Sequence, residues 1–359
     1  MNKLLWVLLL LIPTLVMGEE YEWLDDFTVN GFVGYRQIWS SNNTDLMQSY
    51  PELGLIIDWD ISDNFHTFTQ LNLNPNAVDH GIEHALIYGF VDYSNTIKEV
   101  PFRISVGKLR HQFGLYNDII HNPLTRPGVI PPQAVTFNPV NATLTSGYGA
   151  KLEVWLGDWV VGYTIDKFVS VDEKVESQYW TGFDFVEIDP KFGNHMIYTL
   201  NWEPDDLNWR MRSSMTHIKF NNDLPHIDIG AIGIEYDNSN WSASIETVIL
   251  KPDDMEWFEN FNNLRFGVSA TVGKMITDQW HVYVNYNTYL NSALSTRADV
   301  DEDVDKWRDI NVGTSYDIQD VQLRLEVHKI SGGRALNPKD WDANTQSWWI
   351  IGTSVTYQF

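Results

Sequence analysis

Residues Trp348 to Phe359 read WWIIGTSVTYQF. Trp349, Ile351, Thr353, Val355, Tyr357 and Phe359 fall on one face, because successive side chains of a strand point to opposite sides. Twelve residues of such alternation predict a β-strand with one apolar face. A soluble sandwich would turn that face into its core, and a barrel in lipid would turn it outward. Alternation alone does not separate the two. The number of similar stretches and the lengths of what joins them do.

Working back from this stretch, the same period divides the chain into sixteen strands. They run Phe27–Trp39, Glu52–Ile61, Phe65–Leu73, Glu83–Tyr93, Phe102–Leu109, Tyr148–Leu156, Trp159–Ile165 and His195–Trp202. The second half continues with Trp209–Ile218, Ile227–Tyr236, Trp241–Ile249, Leu264–Lys274, Trp280–Tyr289, Ile310–Tyr316, Val321–Ile330 and Trp348–Phe359. Tight turns such as Ser62-Asp63-Asn64, Gly157-Asp158 and Gln319-Asp320 alternate with long connections such as Ser40–Pro51 and Asp166–Asn194. An even count, with short turns at one end and long loops at the other, is the plan of a bacterial outer-membrane barrel. The expected fold is all-β: a transmembrane antiparallel β-barrel of about 16 strands, with both termini in the periplasm.

Composition agrees. The chain begins MNKLLWVLLLLIPTLVMGEE. Lys3, the apolar run Leu4–Leu15 and the small-residue site ending at Gly18 read as a cleaved secretory signal, residues 1–18, leaving 19–359 as the barrel. No later run is long and apolar enough for a transmembrane helix. The chain has 16 Trp, 16 Tyr, 17 Phe and no Cys. Aromatics at that density suit girdles at two membrane interfaces, and no disulfide framework is available. The formal net charge of −24 argues against nucleic acid as a partner. Much of the acid lies in connections, either as solvated loop surface or as a negative mouth that enriches cations and bridges lipopolysaccharide through divalent ions.

One stretch breaks the alternation. Arg110 to Ser146 reads RHQFGLYNDIIHNPLTRPGVIPPQAVTFNPVNATLTS and carries Pro123, Pro127, Pro131, Pro132 and Pro139. A long irregular loop inside a regular β-protein is usually functional. The run Gly107-Lys108-Leu109-Arg110-His111-Gln112-Phe113-Gly114-Leu115-Tyr116-Asn117-Asp118, followed by Thr125-Arg126-Pro127, resembles a segment of Gram-negative porins. Gly89-Phe90-Val91-Asp92-Tyr93 before it also fits. In trimeric general porins the third external loop, after the fifth strand, folds inward and narrows the channel; here the stretch follows the fifth strand by count alone. The porins' acidic loop tip is not reproduced, since only Asp118 is acidic within the stretch. The terminal Phe359 resembles the signal by which such barrels are recognised by their assembly machinery.

The resemblance implies a homotrimeric porin for passive diffusion of small hydrophilic solutes, with residues 110–146 as the constriction loop. Lys108, Arg110, His111, Tyr116, Asn117, Asp118 and Arg126 are then expected near the constriction, faced by wall arginines Arg36, Arg103 and Arg265. By alternation the polar wall carries the bases Arg36, Arg103, Lys151, Arg210, Arg212, Arg265 and Arg324. It also carries the acids Glu52, Asp58, Asp60, Glu153, Glu246 and Glu326. Two other readings stay open: a substrate-specific channel for sugars or for anions such as phosphate, and a non-conducting structural or receptor barrel. Catalysis is not expected, because no Ser sits with a His in a recognisable motif and Gly-x-Ser-x-Gly is absent. His80 and His84 have the spacing of a metal pair on a helix, but here a loop runs into a strand. No metal or cofactor is expected.

Overall fold

The computed structural model describes residues 26–41, 43–73, 86–117, 119, 122–125, 128–130, 132, 135, 146–168, 193–204, 208–220, 227–252, 265–291, 306–331 and 347–359. The strands are β1 (Phe27–Ser40), β2 (Asn43–Ser62), β3 (Phe65–Leu73), β4 (Leu86–Ile97), β5 (Val100–Arg110), β6 (Ser146–Leu156), β7 (Trp159–Phe168) and β8 (Gly193–Trp202). They continue as β9 (Trp209–Phe220), β10 (Ile227–Asp237), β11 (Trp241–Pro252), β12 (Arg265–Thr277), β13 (Trp280–Asn291), β14 (Lys306–Ile318), β15 (Val321–Ser331) and β16 (Ser347–Gln358). Each pairs antiparallel with its chain neighbours, and β1 pairs with β16 to close the barrel. Gly31 and Phe359 exchange two backbone hydrogen bonds of 2.8 and 3.0 Å at that seam.

Polarity is inverted relative to a water-soluble protein. Val33, Tyr35, Val106, Ile245, Ile310 and Val312 are exposed, and Val312 is 58% accessible. Glu153, Glu246, Asn285, Asp309 and Glu326 are buried. Burying polar groups while exposing apolar ones is costly in water and is what a barrel surrounded by lipid requires. The even-numbered strands end in short turns. Lys98 and Glu99 both take positive φ (49° and 70°), as a two-residue type I′ hairpin needs. Aromatics ring this end. Trp209 and Tyr236 lie 4.7 Å apart, Phe65 and Tyr93 5.0 Å, and Trp159 and Trp202 6.5 Å.

Two sequence expectations are corrected. Ser40–Pro51 is not a long loop: β2 begins at Asn43 and pairs with β1 along this stretch, with Pro51 opposite Tyr35. Among the described residues β3 pairs with β2 from Leu53 onward, so β1 is the one described neighbour of Pro51. Asp166 and Asn194 are not loop residues. They belong to β7 and β8, where Asp166 pairs with His195 and Lys167 with Asn194.

Candidate functional site

The described residues of the segment joining β5 to β6 form no ladder of their own, so their backbone polar groups must find other partners. They find inward-facing side chains of distant strands. The Gly114 amide donates to Ser214 Oγ on β9 at 2.9 Å, and the Leu115 amide to Glu246 Oε1 on β11 at 2.9 Å. The Ile130 amide donates to Glu326 Oε2 on β15 at 2.9 Å. In the other direction Arg324 donates to the carbonyls of Gly128 (3.2 Å) and Leu124 (3.0 Å), and Arg36 on β1 to that of Val129 (3.2 Å). Hydrogen bonds to ionised partners are roughly twice as strong as neutral ones, so this choice of residues compensates for the missing ladder.

Apolar side chains complete the contact. Phe113, Leu115, Tyr116, Val129, Ile130 and Val135 form one buried cluster with Ile218, Ile229, Ala231 and Val248 of β9–β11 and Ile330, Trp348 and Ile350 of β15–β16. Gly114 has a positive φ of 66°, and a Cβ there would collide with the Glu246 carboxylate, so the tight approach requires glycine. The Tyr116 hydroxyl lies 2.6 Å from Ser244 Oγ. Burial, and after it the Glu246 charge, pushes this phenol well above its ordinary range.

Near the base of the segment the wall is basic but paired. Arg103 meets Glu153 at 3.0 Å and Asp92 at 3.9 Å, and Lys151 meets Glu153 at 3.0 Å. The Arg103 guanidinium stands 5.1 Å from the Trp155 ring. Phe90, Asp92, Arg103, Ser105, Arg110 and Lys151 are among the residues that border a cavity of about 50 Å³. Arg110 itself lies 5.5 Å from the stacked Phe68 ring.

The structure thus places Arg36, Arg103, Arg110, Tyr116 and Asn117 in the wall and segment contacts that surround this region. The Asn117 amide donates to the His111 carbonyl at 3.3 Å. Lys108 departs from expectation. It shares the outward face of β5 with Val106, gives its ammonium to the Leu86 carbonyl at 2.5 Å and lies 5.8 Å from the Tyr148 ring. Strand alternation put it on that face once Arg103 was inward. Asp118, Arg126 and the Arg265 side chain lie outside the described residues.

His111 is fully buried, with Asp166 of β7 and His195 of β8. Its Nε2 contacts Asp166 Oδ2, while His195 Nδ1 lies 3.2 Å from Asp166 Oδ1. Sequence reasoning missed this trio, since its members are far apart in the chain and Asp166 reads as loop acid. Glu246, Glu326 and Arg324 were legible as inward residues, but not as fastenings for the segment.

No protein-family model and no curated protein matches the chain. Solved structures do. OmpF of Salmonella typhi, in complex with daunomycin, is 14% identical over 95% of this chain and 100% of its own, with a TM-score of 0.61. The trimer form of OmpT, an outer membrane protein of Vibrio cholerae, is 10% identical over 93% and 99%, with a TM-score of 0.60. A mutant of Rh. blastica porin is 11% identical over 93% and 100%, with a TM-score of 0.51. The chain has the fold of Gram-negative outer-membrane porins.

Proposed function

We propose that this chain is an outer-membrane porin, a water-filled channel for passive diffusion of small hydrophilic solutes and ions. In this reading residues 110–146 fold into the barrel from its outer end and set the width of the passage. The observation that carries it is the capture of the Leu115 and Ile130 amides by Glu246 and Glu326, inward residues of strands remote from β5. A barrel of about sixteen strands is too wide for wall side chains alone to fill, and a segment held against the inner wall supplies the narrowing. Residues 1–18 direct export, lipopolysaccharide and outer-membrane lipid surround the barrel, and Phe359 is offered to the assembly machinery. The trimer form of Vibrio cholerae OmpT supports a homotrimer. No catalysis is assigned.

A substrate-specific channel for sugars or anions is favoured by one observation. Arg103 and Lys151 stand beside the small cavity together with Arg110 and the stacked Phe68–Phe90 pair, 5.5 Å between centroids. Bases beside aromatic faces suit a sugar or a phosphate.

Planar-bilayer conductance of the refolded mature chain, with reversal potentials in a salt gradient, tests both readings. Steady ohmic steps are expected. Steps blocked by one solute class would favour the specific channel. A folded barrel that gives no steps overturns both in favour of a structural or receptor barrel.

A further inference from the structure

We propose that His111, Asp166 and His195 form a binding site for one divalent transition cation of the zinc class, fastening the first residue beyond β5 to β7 and β8. One ligand atom from each residue lies within 4.8 Å of the others, and all three residues are buried. A four-coordinate zinc with bonds of about 2.0–2.2 Å holds its ligands roughly 3.3–3.5 Å apart. Small side-chain rotations close this set around an ion. Two imidazoles and one carboxylate select zinc, nickel or copper over the oxygen-seeking calcium and magnesium.

The wall is built to allow the convergence. Asp166 and His195 are register partners on adjacent strands. His111 approaches from the far side of β6, and the two β6 positions in between are Gly147 and Gly149. A Cβ on either would collide with Asp166, so any other residue there would close the gap between the first histidine and the carboxylate. The imidazole rings of His111 and His195 stand 5.5 Å apart at 74°. They are splayed rather than stacked, as two ligands of one tetrahedral ion are. The site lies at the end of the barrel that carries the long connections, two residues from the end of β7 and two from the start of β8.

His217 and Asp228 provide the internal contrast. They form a 2.7 Å pair on β9 and β10, but no third His, Cys, Asp or Glu converges on them among the described residues. The proposal does not depend on whether the barrel conducts.

The test is zinc titration of the untagged, chelator-treated, refolded chain, followed by calorimetry, with cobalt as a spectroscopic probe. One equivalent of Zn²⁺ per chain is expected, and the intense visible bands of four-coordinate Co²⁺. His195→Ala and His111→Ala should each weaken binding by more than about 100-fold, beyond what loss of an outer partner of a ligand costs. His217→Ala should leave it unchanged. Heat-modifiable gel migration reports folding of each variant. If His195→Ala does not refold, His111→Ala, which lies outside the strands, carries the same test. A wild-type chain that takes up no zinc, folded ligand variants that keep the full equivalent, or equal loss in His217→Ala each overturn the site.

Discussion

Beyond its first residue, His111, the described part of the segment between β5 and β6 is fastened to the wall at two places, and they are built differently. At the first, on β9–β11, Ser214 and Glu246 accept backbone amides and Ser244 meets the Tyr116 hydroxyl. At the second, on β15 and β1, the wall offers both signs: Glu326 accepts an amide while Arg324 and Arg36 donate to three carbonyls. Glu326 is also braced from behind. The Tyr283 hydroxyl donates to it at 2.5 Å, His328 Nε2 lies at 3.2 Å, and His328 Nδ1 meets Asp309 at 2.9 Å. Buried polar groups are costly unless satisfied, and networks raise the stakes of each member. The Glu326 carboxylate is shared by an amide, a phenol and an imidazole, which predicts that the second fastening is the stronger.

Glu326→Ala tests this most severely. It leaves the Ile130 amide, the Tyr283 hydroxyl and the His328 imidazole without their common acceptor. Removing one member of a buried charged set costs about 3–5 kcal/mol. The expected loss is in that range, read from urea unfolding of the detergent-solubilised barrel. Under the porin reading, single-channel conductance should also rise or become noisy. A loss below about 1 kcal/mol would place the strength elsewhere.

Glu246→Ala should cost less, about 1–3 kcal/mol, the usual penalty for one buried amide losing its acceptor. Glu246→Gln keeps an acceptor oxygen and should recover most of that loss in the same unfolding assay. If Glu246→Ala proved as damaging as Glu326→Ala, the asymmetry between the two fastenings would be gone.

The barrel was legible because its signal is local. Alternation at period 2 is written into every strand, and β3 runs Phe65–Leu73 as expected from it. The misreadings were also local. Ser40–Pro51 read as a connection, whereas β2 begins at Asn43 and carries Pro51 opposite Tyr35. Asp166 looked like loop acid, because charge near a strand end reads as solvent-facing. What lies beyond reach is contact across the barrel. Glu326 and Ile130 are 196 residues apart, and no periodicity links them. Alternation made Glu326 inward without saying what it holds. The same distance problem hid the meeting of His111, Asp166 and His195: His111 stood out only as a constriction candidate, with nothing to link it to the other two. Lys108 was lost for a different reason: the resemblance to porins outweighed its parity with outward Val106.

The smallest effect separates the first fastening into its parts. Tyr116→Phe removes the hydroxyl that meets Ser244 but keeps the ring in the apolar cluster. A single neutral hydrogen bond is worth about 1 kcal/mol, so near pH 7 the variant should lose roughly that much. The pH dependence is more telling. Folding pushes this phenol above the ordinary value of about 10 found in an unfolded chain. Below that value both states keep the proton, and the hydroxyl's contribution is fully present. Above it the unfolded chain ionises while the folded one resists, so wild-type stability falls by up to about 1.4 kcal/mol per pH unit from this group. Phenylalanine has no proton to lose. Across that alkaline window the stability of Tyr116→Phe should therefore fall less steeply than wild type, and the two unfolding curves should converge and cross. Parallel curves would mean that Tyr116 ionises as freely in the folded barrel as in water, and that the first fastening is open to solvent.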